Sequence, residues 1–358
     1  MQTGRIRKPM IAYSLAFLGV LPGCNYNNNT SDNNVFQTFP LVADTLGYQA
    51  RIVDKNLTNP WGMALTDAQR FWVAGNHSGV STIYNGAGEI QGSPVTIPSA
   101  DSGTPGAPTG LVQNTTIAFK VPGTSDPAKF LFAGEDGSVS AWSSGASAKI
   151  VINRSADSAV YKGITIALDS GRPFLYLTNF RGRRVEVFDT AFKRDTVRLF
   201  ADTSIPAGFG PFNIARVDFL LYVTYAKLGP GGEDDEAGVG NGYVNVFTPR
   251  GTLVRRFASQ GSLNSPWGMT QSTGSFGPFR NAFFVGNFGD GHILGFNVDG
   301  KLIGEVSGAY QKPTQLEGLW EILWVPAGTI TGLNRNALYY TAGPADETHG
   351  VFGYLVHP

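Results

Sequence analysis

The chain has 358 residues with 46 glycines, 21 prolines, 12% aromatics and only 15% charged residues. That balance favours short strands and tight turns over charged amphipathic helices. Basic and acidic side chains number 27 each, so no basic surface for nucleic acid is implied. Cys24 is the only cysteine, which excludes an internal disulfide and, once that residue is modified, a thiolate nucleophile or a sulfur-bound metal.

At the N-terminus, Arg5, Arg7 and Lys8 precede an apolar run from Met10 to Leu21. This run is too short to span a bilayer as a stable helix and has the build of a secretory signal. Cys24 follows directly in "LPGC", which resembles the bacterial lipobox, where a peptidase cuts before a diacylglyceryl-modified cysteine. The expectation is a signal over residues 1–23, a lipidated Cys24 and a polar tether over residues 24–34. The segment "NYNNNTSDNN" has almost nothing to bury. Removal of residues 1–23 leaves 24 basic and 27 acidic side chains, a formal charge of about −3. Asn25 stands where inner-membrane lipoproteins usually carry aspartate, so the resemblance implies an outer-membrane, cell-envelope protein. The lipid is then its attachment to the membrane.

From Phe71 onward one pattern recurs: "FWVAGNHSGVSTIYNG", "FLFAGEDGSVSAWSSG", "FLYLTNFRGRRVEVFD", "FLLYVTYAK" with "NGYVNVFTPRG", "FFVGNFGDGHILGFNVDG", and "ALYYTAG" with "HGVFGYLV". Each is an apolar strand, a polar Gly-rich turn and an alternating strand. Before each hairpin comes a glycine and an apolar run: "PWGMAL", "PTGLV", "YKGITIAL", "SPWGMT" and "LEGLWEILW", with Asn213 in the glycine's place in "GPFNIARV". Six such units predict an all-β, six-bladed β-propeller over residues 35–358, with the glycine leading into the innermost strand. The sixth unit is one strand short, and "VFQTFPLVAD" near the N-terminus is one strand too many. Pairing that strand into the last blade closes the ring and removes an open edge. A double β-sandwich also holds many short strands, but it does not explain the regular glycine before every hairpin.

The stretches "NPWGM", "PTGLV", "GFGPFNIARV", "FVGNFGDGHI" and "TAGPADETHGVFGYL" resemble a family of uncharacterised exported bacterial propeller proteins, over most of Leu41 to Leu355. The resemblance implies fold and export and carries no reaction.

In a four-stranded blade, the loops leading into the innermost strand and the turns between the second and third strands share one face. That places Asn76, His77, Glu135, Asp136, Asn179, Arg181, Asn287, Asp290, His292, Asp346, Glu347 and His349 around one mouth of the channel. Asn, Asp and Gly at hairpin turns also serve turn geometry alone. The insertion "LGPGGEDDEAGVGNG" is longer than a hairpin needs, and its carboxylates Glu233, Asp234, Asp235 and Glu236 repel one another unless solvated or bound to a cation such as Ca2+.

Calcium-dependent six-bladed lactonases hold their metal through a carboxylate at the inner mouth. By that likeness Glu317, Asn179, Asn213 and Asn287, with Asp234 and Asp235, form a candidate metal set. Trp61, Trp267, Asp290, His292, Asp346, Glu347 and His349 form a candidate partner face. No G-x-S-x-G elbow, H-E-x-x-H, Walker loop or dinucleotide fingerprint is present. The expected function is a monomeric, lipid-anchored envelope module that binds a protein or glycan, with a calcium-dependent hydrolase of lactonase or esterase type as the alternative.

Overall fold

The computed structural model describes residues 34–101, 104–312 and 314–358. The expected signal, Cys24 and nearly all of the expected tether lie outside the described residues.

Each apolar–turn–alternating unit folds into an antiparallel sheet, and six sheets stand around one axis. Their innermost strands are Pro60–Leu65, Pro108–Gln113, Tyr161–Asp169, Phe209–Val217, Pro266–Gln271 and Leu319–Val325. Each touches the next, and the last touches the first. The second strands lie between two neighbouring blades, so segments such as Phe130–Gly134 are buried at every position and read as unbroken apolar runs. Outermost strands such as Leu302–Glu305 keep one side in water.

The N-terminal strand Gln37–Ala43 pairs antiparallel with the C-terminal strand Val351–Val356 as expected, closing the ring. Gln37 opposes Val356, so the chain joins the ring at the lower face, where the first and second strands of each blade are connected. The fifth blade carries an additional hairpin, Ser275–Phe276 with Phe279–Arg280, that the repeat pattern did not reveal. Phe276 and Phe279 pack on Phe36, Phe284 and Trp324, clasping the N-terminal segment against blades five and six.

Every innermost strand has a register shift near its start, for instance between Pro60 and Met63 and between Pro266 and Met269. Such a bulge re-aims the side chains around it. The residue at the bulge in each blade is Trp61, Thr109, Lys162, Phe212, Trp267 or Trp320, followed by Gly62, Gly110, Gly163, Asn213, Gly268 or Glu321. Pairing therefore corrects the sixth repeat: Ile322 opposes Tyr340 as Met63 opposes Val73, so Glu321, not Gly318, occupies the glycine position.

The glycines are there because the inner strands meet at the axis. A Cβ on Gly62 would lie 2.8 Å from the Leu111 nitrogen, and one on Gly268 would lie 2.5 Å from the Trp320 carbonyl oxygen. The bulge tryptophans converge. Trp61 stacks on Trp320 with ring centroids 3.4 Å apart, and Trp267 meets both edge-on at 6.0 and 5.7 Å. Phe180, Phe212 and Phe288 complete a plug across the upper channel. The recurring "PWG" thus supplies a ring for the plug and a gap for the neighbouring backbone.

Replacing Gly268 with alanine should cost about 1–3 kcal/mol, the range of overpacking in a filled site. Gly47→Ala, where a Cβ meets nothing within 4 Å, should stay within about 0.5 kcal/mol of the parent. Urea unfolding of the two variants checks both.

Candidate functional site

Lys162 decides the chemistry above the plug. In the third blade it stands where blades one, five and six carry tryptophan, so the fold turns an ammonium toward the axis. The side chain is only 2% exposed, and its Nζ lies 2.5 Å from Glu135 Oε1 and 3.4 Å from Asp234 Oδ1. It also sits 4.8 Å over the Trp61 ring, a cation–π contact.

Burial alone would lower the Lys162 pKa, but the Glu135 carboxylate outweighs it and holds the ammonium charged. The reciprocal holds for Glu135: burial pushes its carboxyl up, the Lys162 charge and hydrogen bond pull harder, and the group stays below its ordinary value.

From this pair a polar network runs around the mouth. Asn76 Nδ2 donates to Glu135 Oε2 at 2.9 Å. Asn59 Nδ2 donates to Glu347 Oε2 at 2.5 Å and lies 3.4 Å from His77 Nε2. Trp320 Nε1 donates to Asn59 Oδ1 at 3.0 Å, tying the network to the plug beneath. Glu347 is carried by three consecutive residues with positive φ, Ala345, Asp346 and Glu347. Asn59 has positive φ as well. Ser265, the counterpart of Asn59 in blade five, shares that conformation, so it belongs to the entry into the bulge. Burial, with help from the charges of Glu135 and Asp234, raises the Glu347 carboxyl to about 7 against the Asn59 hydrogen bond. Beside the network, a cleft of about 550 Å3 is lined by Glu135, Asp136, Arg181, Glu233 and Asp234.

The acidic insertion forms an arm of this site, with three of its four carboxylates paired. Glu233 meets Arg181 at 2.8 Å, Asp234 meets Lys162, and Glu236 meets Lys227 at 2.6 Å. Asp235 keeps a buried oxygen without a hydrogen-bond partner, and burial raises its pKa.

The remaining sequence candidates are scattered. Glu317 is exposed and accepts from the Ala345 N–H at 3.0 Å. Asn179 accepts from the Val160 and Gly182 N–H groups and donates to Glu186. Asn287 accepts from the Asn264 N–H and donates to the Ser262 carbonyl. Asn213 donates to the Trp267 carbonyl and accepts from the Ile214 N–H. No hydrogen bond joins any two of these four, and no group of three His, Cys, Asp or Glu placed to hold a metal ion occurs among the described residues.

The partner face changes in composition too. Trp61 and Trp267 are buried and form the floor instead of an exposed platform. Asp290 and His292 organise their own turn, with the Asp290 carboxylate accepting from the His292 N–H. His349 turns outward to Asp44 Oδ2 at 3.0 Å, and Asp346 is exposed. Only Glu347 of that group reaches the network. Asn59, Lys162 and Trp320 were not singled out in the sequence; the signal for Lys162 was a lysine directly before the glycine of an otherwise apolar strand.

No known family model matches the chain. It is 32% identical over 317 residues to uncharacterised protein L690 of Acanthamoeba polyphaga mimivirus, covering 85% of this chain and 81% of that protein. It is 30% identical over 319 residues to uncharacterised protein R648 of the same virus, covering 86% and 77%. The chain belongs to this family. These relatives are viral, whereas the motifs in the sequence resembled exported bacterial proteins.

Among solved structures the chain is similar to virginiamycin B lyase from Staphylococcus aureus, with TM-score 0.53 and 13% identity over 90% of this chain and 99% of that one. It is also similar to a gluconolactonase from Xanthomonas campestris, with TM-score 0.52 and 13% identity over 84% and 86%. At such identity the likeness is one of fold alone.

Lys162→Met should destabilise by about 3 kcal/mol or more, because it leaves the Glu135 charge without its partner. Adding Glu135→Gln should recover part of the loss, and denaturant melts of both variants measure it. Glu347 has a raised folded pKa, so the native state binds more protons than the unfolded chain between about pH 4.5 and 7. Its contribution to stability therefore falls as pH rises through that window. The gain in melting temperature from Glu347→Gln should be near zero at pH 4, grow up to pH 7 and then level off.

Proposed function

We propose that this propeller is a binding module whose upper channel mouth takes a hydroxyl-rich ligand, such as the end of a glycan. One observation carries the reading. Five blades converge Asn59, Asn76, His77, Glu135, Lys162, Asp234 and Glu347 into a half-open network of alternating donors and acceptors above an aromatic floor. A few convergent polar groups at the mouth of a rigid barrel are the usual make-up of a small-ligand site.

We further infer export and lipidation at Cys24, supported by the basic and apolar segments before "LPGC". Because the described chain joins the ring at the lower face, such an anchor turns that face toward the membrane and leaves the upper mouth pointing away, open to partners.

A second reading, hydrolysis of a lactone or ester, draws on Glu347, whose carboxyl is poised near neutral pH beside Asn59 and His77. A calcium-dependent form of it finds no assembled ligand set among the described residues.

Screening the protein against an array of saccharides, with lactone and ester turnover assayed in parallel, separates the two. Saccharide binding reduced at least tenfold by Asn59→Ala with His77→Ala is expected, without turnover. Turnover lost on Glu347→Gln would favour the hydrolase instead. For the anchor, labelled palmitate should enter the full chain in a bacterial host and should fail to enter Cys24→Ser.

A further inference from the structure

Below the plug the channel widens again into a cavity of about 620 Å3 that opens on the lower face, a volume typical of small-molecule sites. Trp267 forms its ceiling, and Met63, Leu111, Ile164, Ile214 and Met269 are among its walls. At the lower opening the apolar character continues outward. Leu168 is 50% exposed at the rim, and Ile117 and Phe219, on the neighbouring first-to-second-strand connections, are 89% and 88% exposed.

Into this lumen the ring of glycine positions admits two polar side chains. Asn213 is fully accounted for, since its amide donates to the Trp267 carbonyl and accepts from the Ile214 N–H. Glu321 is not. Its carboxylate accepts a single hydrogen bond, 3.1 Å from the N–H of the adjacent Ile322, although a carboxylate offers about four acceptor sites. Among the described residues it pairs with no cation. Four blades show that glycine fills this position, so ring closure does not require a carboxylate there.

We propose that the lower channel is a second binding site, in which Glu321 receives the ammonium end of an amphiphilic amine while the apolar walls hold its hydrocarbon body.

The surroundings of Glu321 contain no competing charge. The flanking inner strands Pro60–Leu65 and Pro266–Gln271 carry no ionisable side chain. The strand behind it, Ala337–Ala342, brings Tyr339 and Tyr340, both raised by burial and therefore neutral. Thr341 Oγ1 is used by the Glu321 backbone N–H. The other charged residues lining the cavity, Arg216 and Asp218, sit exposed at the rim. Burial thus pushes the Glu321 carboxyl up to about 8, opposed only by the Ile322 N–H. A divalent metal needs several oxygen ligands at once, and among the described residues Glu321 is the one carboxylate inside the lumen, with Asp218 out at the rim. A single ammonium needs one counter-charge, which Glu321 supplies.

A consequence follows for protons. A carboxyl raised to about 8 holds its proton at pH 7, so capture of an alkylammonium ion releases that proton to the buffer and leaves an ion pair. Binding should strengthen as pH rises toward 8.

The test is calorimetric titration of the full chain with n-octylammonium chloride below its micellar range, and with n-octanol as the neutral partner of equal length. Octylammonium should bind at least tenfold more tightly at pH 8.5 than at pH 6. At pH 7 the heat should vary with the ionisation enthalpy of the buffer, showing proton release. Glu321→Gln, close to isosteric, should lose at least tenfold in affinity and all of the pH dependence. Gln271→Trp, placed near the lower opening, should slow or block uptake in a folded protein. Equal binding of octylammonium and octanol, equal binding by Glu321→Gln, or calcium binding that depends on Glu321 would overturn the proposal. None of these outcomes depends on whether the upper mouth binds saccharide.

Discussion

The approach of six backbones to one axis is the constraint from which the rest of this molecule follows. At Gly62, Gly110, Gly163 and Gly268 the next strand lies so near that a methyl group would meet its backbone. The bulge at each of these points frees the preceding residue to face the axis, and in four blades that residue is aromatic. Close approach and plug are therefore one device. Without the glycines the strands would not meet, and without the rings the gap above them would fill with water.

The plug divides the channel into two environments. Above it, one blade replaces an aromatic ring with Lys162, and a single ammonium on the axis recruits carboxylates from Glu135 and the acidic insertion. The insertion's charges, which on a free loop would repel, are distributed among Lys162, Arg181 and Lys227 and hold the arm in place. Below the plug, one blade replaces glycine with Glu321, and no cation answers it. The same substitution logic thus yields a satisfied polar network on one side and an unsatisfied carboxylate on the other. A low dielectric strengthens the first and penalises the second.

The architecture was legible in the sequence because every blade repeats a local signal. A glycine, an apolar run, a turn and an alternating strand can each be read without knowing what they touch. Closure by the N-terminal strand was legible by count alone. The site was legible only in part. Aligning the sixth repeat on Gly318 hid Glu321; aligning it on the tryptophan, "LWEI" against "PWGM", would have revealed both the plug and the carboxylate. Glu317, Asn179 and Asn287 looked alike as polar residues near the mouth, but each completes its own loop, and loop completion and ligand capture carry the same residue types.

What the sequence by itself determined is the number of blades, their repeating strands and the close approach at the axis, because these rest on periodicity and on backbone freedom within a few residues. Only the tertiary structure decided which polar side chains meet. Asn59 and Glu347 are 288 positions apart and Lys162 and Asp234 are 72 apart, and their contact depends on the angle between blades and on which side of the plug each side chain falls. Pairwise charge and burial act over a few ångströms in space, and that distance has no counterpart along the chain.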